Sequence, residues 1–293
     1  MEKQIQGTGN VLNKARAIFE LLRPELPIAA GVCVVAGQIV ALARLPSPTL
    51  ALLGFLTGFL ISGSAMVTND YFDLEVDRVN HPNRPLPSGR VTMLELWTLT
   101  ALLTITGLTS AALISSLNLV LAAATWLIAI AYNWKLKETG LPGNIMVATS
   151  VGMTFVFGGA TAGRIGKGIV LIFGALAFLF DLGEEIAGGA MDVRGDEKRR
   201  VKSLALIYGR ETALKITAII FFCFGILSFA PYVLGWLGFP YLILVTLTDF
   251  LLAYFTLKLI RSKSPEEGRI VTRQLYLLML AFILVFIVST LVL

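Results

Sequence analysis

Apolar residues run in long blocks along this chain. Nine blocks, at about 26–43, 49–68, 94–114, 117–131, 142–162, 167–187, 213–234, 240–260 and 272–292, are separated by polar stretches. Most approach the ~20 residues that a helix needs to cross the hydrocarbon of a bilayer. The pattern predicts an all-α, polytopic membrane protein with nine transmembrane helices. Spans of that number and length fill most of the 293 residues, so 1–293 reads as a single membrane-embedded domain. Neither a large soluble unit nor a long tail fits, and chemistry is left to helix ends and loops.

Composition points the same way, with 56% apolar against 15% charged residues and a mean hydropathy of +0.79. Cys33 and Cys223 both fall inside apolar blocks, and His81 is the single histidine, which excludes zinc clusters, disulfide frameworks and Ser-His-Asp hydrolysis. The first 25 residues carry Lys3, Lys14, Arg16, Glu20 and Arg23, unlike the short charged head of a secretory signal peptide.

Charge then fixes an expected orientation. With a cytoplasmic N-terminus, 21 of the 24 lysines and arginines lie on the cytoplasmic side, and only Arg44, Arg164 and Lys167 lie opposite. So large a positive-inside asymmetry predicts a multi-pass protein of the cell membrane, with its N-terminus and polar loops cytoplasmic. Apart from Asp181 and Asp249, which sit within apolar blocks, the acidic residues follow the same side. Two loops, about 70–93 and 188–212, far exceed the usual 2–8 residues between packed helices and hold most of that charge.

The first loop opens Asn69-Asp70-Tyr71-Phe72-Asp73-Leu74-Glu75-Val76-Asp77-Arg78. Asn69, Asp73 and Asp77 share one face if the second span stays helical past the membrane edge. In the second loop Asp192 and Asp196 are again four apart, and Glu185 shares their face unless Gly188-Gly189 breaks the helix. A single acid at a membrane edge is ordinary, but two facing stripes repel unless cations lie between them. Hard oxygen ligands of this kind suit Mg²⁺ together with a substrate phosphate. Arg78, Arg84, Arg90, Lys137 and Lys202 are then candidates to clamp phosphate oxygens, whereas Lys198, Arg199 and Arg200 read as positive-inside bias or anionic-lipid contact.

At these residues the chain resembles the UbiA-type intramembrane prenyltransferases, whose signature is Asn-Asp-x-x-Asp-x-x-x-Asp after the second helix and Asp-x-x-x-Asp after the sixth. Both stand here, at Asn69 to Asp77 and Asp192 to Asp196. Arg23-Pro24, Arg84-Pro85-Leu86-Pro87-Ser88-Gly89, Tyr132 to Lys137 with Gly143-Asn144, and Lys202-Ser203-Leu204 extend the likeness over nearly the whole chain. The resemblance implies nine helices around a central cavity and two Mg²⁺ ions holding an isoprenyl diphosphate for transfer to an acceptor. Within the superfamily the chain looks most like the archaeal enzymes that join geranylgeranyl diphosphate to geranylgeranylglyceryl phosphate in ether-lipid synthesis. It departs from them at Glu184-Glu185-Ile186-Ala187-Gly188-Gly189, where many carry Arg-Glu-Ile-x-Lys-Asp.

On that basis Asn69, Asp73 and Asp77 are assigned to one metal and Asp192 and Asp196 to the other. Arg78, Arg84 and Lys137 go to the diphosphate, and Asp70 and Glu185 support the ligands from behind. Tyr132 shields the allylic cation or simply belongs to the interfacial aromatic belt. Arg23, then Lys202, are the candidates for an acceptor phosphate. Phe155, Phe157, Phe173, Phe178 and Phe180 are candidate walls for the prenyl tail, and Asp249 is expected to pair with a neighbouring helix. Two alternatives stand beside this reading: a prenyltransferase acting on an aromatic acceptor such as 4-hydroxybenzoate, and a secondary transporter. The transporter is disfavoured because the acids gather at one face instead of at the midplane.

Overall fold

The computed structural model describes residues 13–193, 195 and 201–292. Among them nine helices have 18 or more residues: α1 (Glu25–Leu42), α2 (Pro48–Phe72), α3 (Met93–Ile114), α4 (Ser116–Trp134), α5 (Leu141–Thr161), α6 (Gly168–Met191), α7 (Arg210–Ser228), α8 (Phe239–Ile260) and α9 (Pro265–Val292). No strand occurs among the described residues. Every apolar block has thus become a long helix, but only eight are long and apolar enough to cross a membrane. The exception is α6, whose second half carries Asp181, Glu184 and Glu185.

Local sequence sets the helix ends. Ser47 caps α2 ahead of Pro48, whose fixed φ suits a first turn, and Thr92 and Glu95 form a capping box at the start of α3. Ser115 alone separates α3 from α4, and its hydroxyl accepts from Asn118 N at 3.1 Å. Each cap satisfies backbone N–H groups that would otherwise be orphaned near lipid.

Helix α1 packs on α2, α5, α6 and α9 and is buried along much of its second half. Its crossing with α5 is close because both helices present glycine there. A Cβ on Gly37 would come within 2.6 Å of the Phe155 carbonyl oxygen, and one on Gly158 would collide with the Val34 carbonyl. Small residues allow this approach where lipid offers no hydrophobic drive to hold helices together. The outward faces keep large apolar side chains exposed, among them Leu52, Leu102, Ile105, Phe222 and Phe250. In water such a surface is untenable, and against acyl chains it is neutral.

The phenylalanines that are candidate walls for a prenyl tail pack within the core. Phe173 meets Phe155, Tyr241 and Phe286 with ring centroids 5.3–6.1 Å apart, and Phe180 stacks on Phe221 at 5.6 Å. Phe157 is buried in a separate cluster with Val34 and Ile61, and Phe178 packs beside Leu176 and Phe180. These rings hold α5 and α6 to their neighbours, which is ordinary core work at this spacing. Asp249 does pair as expected: Ser228 of α7 donates to its Oδ2 at 2.6 Å.

Candidate active site

The first acidic stripe lies where α2 leaves its apolar block. Asp73, at φ −90° and ψ 0°, joins α2 to a short helix, Leu74–Asn80. Backbone bonds from Asp73 N to Asn69 O (2.9 Å), Asp77 N to Asp73 O (2.8 Å) and His81 N to Asp77 O (2.8 Å) carry the winding across that joint. Asn69, Asp73 and Asp77 therefore keep one face, as their spacing predicts.

Each acid of this stripe meets a cation from a different segment. Asp73 pairs with Lys137, Asp77 with Arg84 at 2.5 Å, and Asp70 with Arg23. The Asp70 and Asp77 side chains are 1% and 5% exposed, so without those partners both charges would be buried and uncompensated. Asn69 is held by Asn133 of α4. Its Nδ2 donates to Asn133 Oδ1 at 3.1 Å, while Asn133 Nδ2 donates to the Ala65 carbonyl at 2.9 Å. Asn133 was not singled out by the sequence; an amide in the last turn of an apolar helix, one residue after Tyr132, was the available signal.

The three cations are themselves held by local backbone structure. Arg23 takes a left-handed conformation, φ 46°, between the helical residues 13–22 and α1. That conformation is sparsely populated outside glycine, and here it goes with the ion pair to buried Asp70. Arg84 stands in a turn closed by Ser88 N to Arg84 O (3.0 Å) and Val91 N to Pro85 O (3.0 Å), with Leu86 and Val91 plugged into a core of Leu21, Val67 and Leu96. Lys137 lies on a 3₁₀ turn, Leu136–Thr139, followed by Gly140 at φ 74°. A Cβ at Gly140 would strike the Lys202 carbonyl oxygen, and Lys202 N donates to Glu138 O at 3.0 Å. The chain entering α7 is thereby docked onto the turn that carries Lys137.

Arg23, Asp70, His81 and Arg84 also line one cavity of about 380 Å³ beside Glu20. Arg90 beside Glu20, at 2.7 Å, holds that carboxyl below the usual glutamate range. Sequence reasoning gave Arg23 to an acceptor and Arg84 to a donor, yet the fold brings both guanidinium groups to the same recess.

The second stripe differs. Helix α6 continues through Gly188-Gly189 to Met191, so the glycine pair does not break it, and Glu185 and Asp192 fall two turns apart. Intrahelical bonding outweighs the roughly 1 kcal/mol by which each glycine disfavours a helix. Asp192 caps the helix, and its Oδ1 lies 3.6 Å from Arg269 Nη2, which also donates to the Met191 carbonyl at 3.1 Å. Arg269, at the start of α9, is a second residue the sequence reading overlooked. Asp196 and Lys198 to Arg200 lie outside the described residues, as does Arg194.

Other candidates stay apart from these pairs. Arg78 bonds Glu75 at 2.8 Å, with both side chains largely exposed. Lys202 contributes its backbone to the docking described above while its side chain is exposed, and Tyr132 is half-buried on α4. Among the described residues no three Asp, Glu, His or Cys side chains converge into a metal-holding cluster. The donor set of the first stripe nevertheless fits Mg²⁺ by its chemistry: an amide and two carboxylates, all hard oxygens, each carboxylate already engaging positive charge.

Comparison with known proteins assigns this arrangement to a family. The UbiA prenyltransferase family model matches residues 30–283. The chain belongs to that family. Digeranylgeranylglyceryl phosphate synthase of Methanopyrus kandleri is 37% identical over 229 residues, covering 78% of this chain and 83% of that protein. A solved structure of a digeranylgeranylglyceryl phosphate synthase superposes with a TM-score of 0.78 at 31% identity, over 96% of this chain and 99% of the other. A UbiA homologue from Archaeoglobus fulgidus, solved with DMAPP and Mg²⁺, shares the fold at a TM-score of 0.68 and 20% identity, over 94% of this chain and 99% of the other. With its family established and eight helices fit to cross, this UbiA member is an integral, multi-pass membrane protein.

Proposed function

We propose that this UbiA prenyltransferase moves a geranylgeranyl group from geranylgeranyl diphosphate to geranylgeranylglyceryl phosphate, with Mg²⁺ as its cofactor. The observation that carries the reading is the ring of acid–cation pairs at the end of α2, Asp70–Arg23, Asp73–Lys137 and Asp77–Arg84. The names of the similar synthases support the donor and acceptor, and the fold shared with a homologue solved with DMAPP and Mg²⁺ supports the metal.

In this reading Asn69, Asp73 and Asp77, and from the other stripe Asp192 and Asp196, hold the metal ions, which neutralise the diphosphate when bound. Arg84 and Lys137 hold its remaining oxygens. Positive charge fixed beside the leaving oxygen lowers the barrier to ionising an allylic C–O bond, because that oxygen gains charge as the bond breaks. Arg23 pairs with Asp70 and holds it in place behind the stripe. Tyr132 turns a π face toward the developing cation. Arg78 and Lys202 take outer positions, where they raise the local concentration of anionic substrate.

The test incubates purified protein with labelled geranylgeranyl diphosphate and either geranylgeranylglyceryl phosphate or 4-hydroxybenzoate, with and without EDTA. Transfer to the glyceryl phosphate that EDTA silences is the expected outcome. Exclusive labelling of the aromatic ring would replace the acceptor and leave the donor chemistry standing.

Orientation belongs to the same proposal, and the loop charge supports a cytoplasmic N-terminus and active-site loops in the cell membrane. Ser88 and Ser47 are both exposed and lie on loops of opposite expected sides. In a cysteine-free background, cysteine placed at Ser88 should label from the cytoplasm and at Ser47 from outside. The reverse pattern would invert the topology.

A further inference from the structure

A second cavity, of about 390 Å³, opens between the start of α1, the second half of α6 and the start of α9. Its volume falls in the ~300–1,000 Å³ range of small-ligand sites. Leu26, Gly188 and Met191 contribute to its apolar lining. Polar groups come chiefly from one stripe of α9: Arg269, Thr272, Arg273 and Tyr276, spaced three or four residues apart and so stacked on one helix face.

Two of these groups, the buried Tyr276 hydroxyl and the exposed Arg273, have no partner among the described residues. The Tyr276 hydroxyl is buried without a hydrogen-bond partner among the described residues, and such a group destabilises the fold unless something satisfies it. Arg273 makes no ion pair within 4 Å among the described residues, although Glu25 and Glu184 line the same cavity. Arg269 and Arg273, four residues apart, repel each other along the helix unless an anion lies between them. A phosphate ester brings charge for the guanidinium groups and an acceptor oxygen for the phenol, against the repulsion of Glu25 and Glu184 in the same lining. Arg269 also reaches Asp192 and the Met191 carbonyl, so a ligand bound here sits beside the second acidic stripe.

We infer that this cavity is the headgroup site for a phosphorylated lipid acceptor, with Arg273 and Arg269 holding the phosphate and Tyr276 donating to it. The inference rests on the proposed reaction and assigns the acceptor's phosphate to Arg269 and Arg273 of α9 in place of Arg23. The apolar wall of Leu26 and Met191 lies where the attached chain leaves the headgroup.

The test uses the full-length protein in nanodiscs of neutral lipid and, in parallel, in nanodiscs containing anionic lipid. It measures binding of geranylgeranylglyceryl phosphate and of its unphosphorylated alcohol, and transfer from labelled geranylgeranyl diphosphate, in wild type, Arg273→Gln and Arg273→Lys. Arg273→Gln should weaken binding of the phosphorylated lipid and raise its KM at least tenfold. Binding of the alcohol and the donor KM should stay within twofold, and Arg273→Lys should recover most of the loss. Equal losses for both lipids, or a shift in donor KM instead, would overturn the site. An effect that appears only in discs containing anionic lipid would assign the cavity to bulk membrane lipid and overturn it too. Wild type that binds the phosphorylated lipid through Arg273 but transfers nothing to it would keep the site and remove the proposed reaction. Transfer indifferent to Arg273→Gln would do the reverse.

Discussion

The two acidic stripes are built to different degrees. At the end of α2, Asp70, Asp73 and Asp77 meet cations 47, 64 and 7 positions away, and Asp70 and Asp77 are almost completely buried. At the end of α6, Asp192 is 40% exposed at its side chain and lies 3.6 Å from Arg269, beyond hydrogen-bond length. Charge pairs buried away from water resist salt and hold geometry, whereas half-exposed ones contribute about 0–1 kcal/mol and adjust freely. Under the proposed function the first stripe is therefore a fixed anchor for the diphosphate, and the second, at Asp192, is a more exposed arm beside it.

The largest expected effect removes both halves of the comparison together. Asp73→Ala and Asp192→Ala should each abolish prenyl transfer while detergent-extracted protein stays folded, since in the proposed function each takes a ligand from a different metal ion. Labelled-product assays at saturating donor would check this. Either variant keeping more than about a tenth of wild-type turnover, a barrier change under roughly 1.4 kcal/mol, withdraws that residue as a ligand.

A smaller effect separates anchor from arm. Lys137→Met leaves Asp73 without the cation it now meets, so turnover should fall by about 10²-fold and the donor KM should rise. Thermal stability should fall as well, because a largely buried carboxylate loses its partner. Were turnover to fall with donor KM and melting temperature unchanged, Lys137 would act on the chemistry alone and the anchor picture would be wrong. Arg84→Met should behave in the same way through Asp77.

Much of this was legible in the sequence. Block hydrophobicity located every long helix, and the four-residue spacing of Asn69, Asp73 and Asp77 located the first stripe, because both signals are local periodicities. Pairing was not legible. Nothing in the order of residues couples Asp70 to Arg23, or Asn69 to Asn133, across 47 and 64 positions. Gly188-Gly189 left the end of α6 open because a glycine pair weakens an isolated helix, and here packing of α7 and α9 against α6 adds to its intrahelical bonding. The phenylalanines left two readings open for a related reason, since a ring that walls a corridor and a ring that fills a core have the same spacing.

Asn133→Ala should cost less than the loss of a cation. It leaves Asn69 without its amide partner and the Ala65 carbonyl without the Asn133 donor, about 1–2 kcal/mol in stability on a net hydrogen-bond scale. Calorimetry in detergent would read it as a fall of a few degrees in Tm, and a fall in metal affinity should accompany it if Asn69 is a ligand. A lowered Tm with unchanged metal affinity would keep Asn133 as packing and remove Asn69 from the metal.

The smallest effect is the most telling about what sequence proximity is worth. Arg78 and Arg84 lie six residues apart in one loop, and by sequence both are candidates for the diphosphate. Arg84 is drawn to nearly buried Asp77, whereas Arg78 reaches Glu75 in an exposed pair one turn away, whose side chains are 58% and 81% exposed. Such a pair contributes a few tenths of a kcal/mol at best, and its loss perturbs nothing behind it. Arg78→Ala should therefore leave turnover and Tm within twofold and one or two degrees of wild type at physiological salt. At low salt the donor KM should rise slightly, as steering by an exposed charge is screened over about 8–10 Å. A tenfold loss in Arg78→Ala at physiological salt would mean that the loop rearranges to bring Arg78 onto the diphosphate, and the distinction drawn between the two arginines would fail.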